Sequence, residues 1–360
     1  MNNPNAPLKR AAAFCARFGM QVPILEAPMA GACPASLAIA VANAGGMGAM
    51  GALLSTPAEI AAWAAEFRAA SDGAFQLNLW VPDPPPKRDA AHEADIRAFL
   101  SKWGPEVPEA AGDARPPDFS AQCEAFLAAR PTVISSIMGL FPAAFVAAIK
   151  ERGIAWFACA TTLAEARAAE AAGADAIVVQ GAEAGGHRGS FDAVAAERNA
   201  IGLFALLPRI TANVSVPVIA TGGIGDGRGL AAALALGASA VQMGTVFLRC
   251  PEARTNAAWA NALEALEPER TVLTRAFSGR AGRSLATRYV EAAAAADAPA
   301  PAPYPVQRGL SAAMRAEAAR QGDLQRMQAW AGQSAWLASP RPAGAIVREA
   351  WAEAQRIFGG

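Results

Sequence analysis

Val216-Pro-Val-Ile-Ala-Thr-Gly-Gly-Ile-Gly-Asp-Gly-Arg-Gly229 opens a unit that continues through an alanine-rich stretch to Gly237. An apolar run, 216–221, leads into a glycine-rich turn, and helical spacing follows over 229–236. Gly237 is the expected stop for that helix. The unit is a strand feeding a helix, and it recurs along the chain. Further apolar strand candidates lie at 22–27, 48–53, 75–80, 133–138, 155–160, 176–180 and 240–245. Segments of helical spacing at 34–44, 57–70, 142–152 and 163–172 separate most of them. Several open with proline near the first turn and close on Gly45, Gly153 or Gly173. Strands joined by crossover helices pair in parallel. These strands lack strict alternation, as expected when both faces are buried. Eight of them predict an α/β fold closed into a (β/α)8 TIM barrel.

Two regions interrupt the period. Residues 82–130 extend the loop after the third strand, with Pro84-Pro-Pro86 and Pro116-Pro117; such loops shape the pocket at a barrel mouth. After residue 255 the pattern changes. Residues 256–267 and 314–331 look helical, and 292–305 is an Ala/Pro-rich, linker-like run. The expected organisation is a barrel over 1–255 and a helical C-terminal extension, 256–360, packed over its mouth.

Composition narrows the function classes. Formal net charge is +0 with 17% charged residues, which argues against nucleic acid or an anionic membrane surface as partner. Residues 27–58 and 131–149 carry no charge. Both contain prolines and polar residues that fit buried strand–turn–helix better than a membrane span. Five scattered cysteines without a C-x-x-C pair suit a reducing compartment without structural zinc. The apolar run after Lys9 and Arg10 is too short for a secretory core. A cytoplasmic protein without a metal site, a monomer or homodimer, is expected.

In a barrel the ligand site lies at the C-terminal ends of the strands. The sixth strand ends in Gln180-Gly-Ala-Glu-Ala-Gly-Gly-His-Arg-Gly189. Its glycines permit tight turning and close approach to a ligand. Among them stands His187, one of two histidines. Thr221, Gly222 and Gly223 precede a helix start, which favours an anion, and Gln242, Met243, Gly244 and Thr245 end the next strand. Loops after strands seven and eight commonly hold a phosphate. A dinucleotide fingerprint is not met, since the sixth position counted from Gly223 is Arg228. The phosphate therefore belongs to a mononucleotide such as FMN or to a phosphorylated substrate. Asn78 and Gln180 offer amides that suit a heteroaromatic edge, or that tie strands together. Ala27, Pro28 and Met29 suit a flat ring, or Met29 is core. Arg188 reads as a solvated loop charge, His92 as surface, and Glu183 as a backbone or histidine-orienting group.

Taken together, Ala27-Pro-Met-Ala-Gly31, Asn43-Ala-Gly-Gly-Met-Gly48, Asn78-Leu79, the His187 loop, Thr221-Gly-Gly-Ile-Gly-Asp-Gly-Arg-Gly229 and Gln242-Met-Gly-Thr245 resemble the nitronate monooxygenase family. The resemblance runs from about residue 20 to 250. It continues weakly in Ser278-Gly-Arg280 and Ala331-Gly-Gln-Ser334, which are similar to motifs of class I members. It implies an FMN-dependent barrel that oxidises alkyl nitronates, such as propionate 3-nitronate, with O2 to nitrite and a carbonyl compound. It places FMN contacts on Asn78, Gln180, Gly185 with Gly186, Gly222 and residues 242–245, and the catalytic histidine on His187. Two departures bear on substrate preference: Gly282 stands where a second arginine is usual, and Phe157-Ala-Cys159 where some relatives carry a lysine. The alternatives are an FMN-dependent enoyl-thioester reductase using a nicotinamide donor, and a flavin-binding sensor without catalysis.

Overall fold

The computed structural model describes residues 6–359. The strands are β1 (Ile24–Glu26), β2 (Met47–Gly51), β3 (Ala74–Trp80), β4 (Val133–Ile137), β5 (Ala155–Ala160), β6 (Ala176–Gln180), β7 (Gly186–His187), β8 (Val218–Thr221), β9 (Ala240–Met243), β10 (Thr271–Thr274) and β11 (Gly282–Leu285). Eight of them close a parallel barrel in the order β1-β2-β3-β4-β5-β6-β8-β9. Closure is made by β1 on β9, with Leu25 opposite Gln242. The (β/α)8 expectation is met, and all eight sequence-read strands lie in the barrel.

Local chemistry explains the crossovers. Thr56 and Glu59 form a reciprocal capping box at the start of helix Pro57–Ala70. Thr162 and Asp226 cap helices Leu163–Ala171 and Gly227–Ala235 in the same way from one side. Gly45, Gly153, Gly173 and Gly237 follow helices with positive φ, so each terminates its helix without a Cβ penalty.

Two apolar layers hold the barrel. Inside it, Leu25, Met47, Val133, Phe157 and Ile219 pack together. The N-terminal helix Ala6–Phe18 closes the bottom of this layer, setting Phe18 edge-on to Phe157 at 4.9 Å between centroids. Outside, Ile24, Leu77, Ile134, Trp156 and Ile177 pack against the helices.

The tail is more closely built into the barrel than its sequence suggests. Helix Ala343–Ile357 packs on Gly227–Ala235 and on Ala35–Asn43, the position of the ring's eighth helix. The stretch from Thr245 to Pro342 is therefore an excursion between the eighth strand and the eighth helix. Within it β10 and β11 pair antiparallel, and β11 adds β7 as third strand. The helix expected over 314–331 stops earlier, at Gln321, where Gly322 turns left-handed at φ +66°. The 256–267 helix is confined to Ala257–Ala262. The linker-like run around 302 is packed: Ala302 and Tyr304 are buried, and Ala302 joins Phe277, Tyr289, Leu310 and the Ile96 and Leu100 side chains in one cluster.

In the loop after β3, helix Ala90–Leu100 joins that cluster. Helix Phe119–Ala129 instead packs on Pro57–Ala70 as a member of the ring. Among the described residues no helix is long and apolar enough to cross a membrane.

Candidate active site

A cavity of about 400 Å³ opens at the C-terminal ends of the barrel strands. Ala27, Pro28, Met29, Asn78, Gln180, Gly185, Gly186, His187, Thr221, Gly222, Gly223, Gln242, Gly244 and Thr245 all line it. Met243 is the exception among the sequence-chosen residues. Its side chain is fully buried in the core outside the barrel strands, because alternation along β9 turns it away from Gln242.

One end of the cavity is made of backbone. Gly222 and Gly223 hold φ +108° and +72°, a region that side chains rarely adopt. The amide N–H groups of Gly222, Gly223, Gly244 and Thr245 donate to no acceptor among the described residues. Unbonded amides facing a cavity form an anion nest. The helix start itself is not part of it. Asp226 accepts from the Gly229 N–H, and Glu353 from the terminal helix accepts from the Gly227 N–H. The expected helix N-terminus is thus already satisfied by carboxylates, and the turn before it supplies the free donors. The tail braces this turn: Ser334 donates to the Gly223 carbonyl at 2.6 Å, and the Gly332 N–H donates to Thr245 Oγ1 at 3.0 Å. Gly185 is required by the same crossing, since a Cβ there would lie 2.4 Å from the Gly332 nitrogen.

The floor is amide-rich. Asn78 donates to Ser135 Oγ at 3.0 Å. Below it, Gln76 donates to the Glu26 carbonyl and to Gln242 Oε1. Gln180 is used at both ends of its amide: Nε2 donates to the His187 carbonyl at 3.0 Å and Oε1 accepts from the Gly189 N–H at 2.8 Å. It therefore fixes the histidine loop as well as lining the cavity. On the Ala27–Met29 turn, the Cys33 sulfur accepts from the Met29 N–H at 2.6 Å. Behind the turn, Glu26 is fully buried with one oxygen unpartnered, and burial pushes its carboxyl up to about 8.

The other end is made of side chains. His187 lies opposite Gly282 in the β7–β11 pair. A Cβ on residue 282 would approach the Trp330 ring to 3.0 Å, which explains glycine at that position. The imidazole sits between Trp80 and Trp330, at centroid distances of 4.6 and 4.7 Å. Its Nε2 bonds Ser278 Oγ at 2.7 Å, while Nδ1 has no partner among the described residues. Burial, then the charges of Arg308, Arg280 and Arg315, push its pKa down to about 3, so the ring is neutral. Arg315 donates to Gln328 and to the Arg308 carbonyl. The Arg308 guanidinium lines the cavity and makes no hydrogen bond or ion pair among the described residues. Arg280 is held by Asp83 and the Ser190 carbonyl, and this locks the loop after β3 onto the Ser278 turn.

One sequence reading is overturned, Glu183 takes the backbone role among its two alternatives, and His92 stays outside the site. Arg188 is not solvated: it is buried, with its guanidinium on the Gln180 and Asn199 carbonyls. Glu183 does not orient His187; it caps helix Leu203–Thr211 by accepting from the Leu203 N–H, and Ser278 is the histidine's partner. His92 bonds the Ala300 carbonyl far from the cavity. Ser278 was marked in the sequence only as part of a motif. Trp80, Trp330, Arg308 and Arg315 carried no local signal, because they reach the site from segments far apart in the chain.

Comparison with known proteins adds an independent line. The family model described as nitronate monooxygenase matches residues 13–353. The nitronate monooxygenase of Pseudomonas aeruginosa is 40% identical over 340 residues, covering 93% of this chain and 97% of that protein. The crystal structure of a nitroalkane oxidase from Streptomyces ansochromogenes is similar with a TM-score of 0.86 at 34% identity, covering 96% of this chain and 98% of that one. FabK from Thermotoga maritima is also similar, with a TM-score of 0.75 at 26% identity over 96% of this chain and 97% of that one.

Proposed function

The chain belongs to the nitronate monooxygenase family, and we propose that it is an FMN-dependent enzyme that oxidises anionic alkyl nitronates with O2 to nitrite and a carbonyl compound. The observation that carries this reading is the pairing, in one cavity, of an unbonded amide nest with a neutral histidine under unpaired positive charge. The nest fits a phosphate. The Gly222, Gly223, Gly244 and Thr245 amides would hold it, while Asn78, Gln180 and the apolar Ala27 to Met29 turn line the part of the cavity that would take the ring. When bound, FMN supplies the electron acceptor and the reaction with O2.

The protein's own groups bind, orient and move a proton. Arg308 is a free guanidinium at the cavity wall, suited to the nitronate or to a carboxylate on the same substrate. Trp80 and Trp330 pack against the imidazole at interplanar angles of 76° and 60° and so restrict its orientation. Ser278 holds Nε2 and leaves Nδ1 to face the substrate. Nδ1 is unprotonated and unpartnered and can take the α-proton of a nitroalkane; a base held this weak depends on stabilising the nitronate as it forms, which is the role of Arg308. Propionate 3-nitronate, which carries a second negative charge, is the substrate this arrangement suits best.

The test is FMN content and nitrite release. Purified or FMN-reconstituted protein should bind FMN and release nitrite from propionate 3-nitronate only in air. Protein that retains no FMN, or that binds FMN and releases no nitrite, contradicts the reading.

A further inference from the structure

Arg188 has no part in the mechanism above, yet its position is costly. It is 3% exposed, makes no ion pair among the described residues, and leaves Nε without a partner. A buried cation is ordinarily matched by a carboxylate. Two acids reach Arg188 through their fields but not by contact: Glu165 accepts from Thr161 and Phe191, and Glu183 from Leu203. Carbonyl dipoles alone hold the guanidinium, with Nη1 2.6 Å from the Gln180 carbonyl. Gln180 and Cys159 both line the cavity, and Arg188 lies close enough to Cys159 for each to feel the other's charge. The charge therefore sits one residue behind the cavity wall, in a medium that screens it poorly.

A fixed positive charge with no carboxylate in contact, and with Glu165 and Glu183 acting on it only from a distance, favours negative charge that forms in front of it. On two-electron reduction the FMN ring takes up two electrons and one proton and carries a net negative charge near neutral pH. Resting on the FMN reading, we propose that Arg188 is a positioning residue that raises the reduction potential of bound FMN by compensating the charge of the reduced ring. It acts across the Gln180 carbonyl and touches neither substrate nor FMN.

The experiment compares holoprotein carrying Arg188→Gln, Arg188→Met or Arg188→Lys with the unsubstituted chain. FMN content is measured first, then the potential, by equilibrium reduction with dithionite against a reference dye. Gln retains a donor for the Gln180 carbonyl while removing the charge; Met provides a second neutral variant if R188Q does not fold; Lys retains the charge. The expected result is a reduced-to-oxidised ratio about tenfold lower in the neutral variants, or about 30 mV for this two-electron couple, with R188K close to the unsubstituted protein. FMN bound at an unchanged potential in a neutral variant overturns the proposal, as does a shift in R188K as large as in R188Q. An unsubstituted protein that binds no FMN overturns the FMN reading itself.

Discussion

The two ends of the cavity are built in opposite ways. The anion nest is backbone from two short contiguous stretches, Gly222–Gly223 and Gly244–Thr245, each following its barrel strand directly. The histidine wall is side chain, drawn from Trp80, His187, Ser278, Arg308 and Trp330, which lie on separate segments across most of the chain. A backbone site is set by the torsion angles of a few residues, and glycine announces it. A side-chain site is set by packing between distant segments, and each member tolerates its role only if the others hold. The first end should therefore fail through cofactor loss and the second through catalysis.

His187→Asn is the sharpest break. It removes the proposed proton acceptor and does not touch the nest. Turnover of neutral nitroalkanes should fall about 10²- to 10⁴-fold, with nitronates much less affected and FMN content unchanged. Equal loss on both substrates in steady-state assays contradicts a proton-accepting role.

Gly222→Val tests the other end. The residue sits at φ +108°, and its Cβ would lie 3.0 Å from the Ala184 nitrogen. Backbone strain and displaced amide donors together should weaken FMN binding on the order of 100-fold, read by fluorescence titration. Retained affinity would remove the nest from the account.

Arg308→Gln bears on the coupling between charge and base. The KM for propionate 3-nitronate should rise about 10- to 100-fold, with a smaller change in kcat. Arg308 is the largest of the charges holding His187 down to about 3. Its removal should move the acid limb of kcat/KM for nitroalkanes to higher pH, whereas the unsubstituted enzyme should lose no base above pH 5. A pH profile that does not move removes Arg308 from the causes and leaves burial with Arg280 and Arg315.

Glu26 gives the smallest effect, on stability. Its folded pKa is raised from 4.5 to about 8. Between those values the unfolded chain releases a proton that the folded chain keeps, so stability falls as pH rises through that window. His187 has the opposite sign: its folded value is lowered from 6.5 to about 3, so its contribution is lost as pH falls below 6.5. Glu26→Gln should flatten the decline of Tm between pH 5 and 8 by a few degrees, in the range of about 1–2 kcal/mol. The same decline in both proteins by differential scanning calorimetry contradicts a proton held at Glu26.

The same contrast explains what could be read from the sequence. The barrel was legible because every strand, cap and glycine stop is a local signal, as the Thr56–Glu59 box and Gly237 show. The cavity residues on the strand ends were legible for the same reason. Met243 was misplaced by a single step of strand alternation. Arg188 was read as solvated because nothing local marks two carbonyl acceptors, one of them 11 residues away. The tail was least legible. Its helix Ala343–Ile357 reaches the first and seventh ring helices, and Trp330 reaches His187, only once the barrel exists to receive them.

The central claim is tested most directly by mixing the FMN-loaded protein anaerobically with propionate 3-nitronate and following its visible spectrum, then admitting air. The account predicts that the flavin is reduced by the nitronate alone and reoxidises in air with release of nitrite. A flavin indifferent to the nitronate but bleached by NADH or NADPH would contradict it, and would assign the cavity to a nicotinamide-dependent reductase.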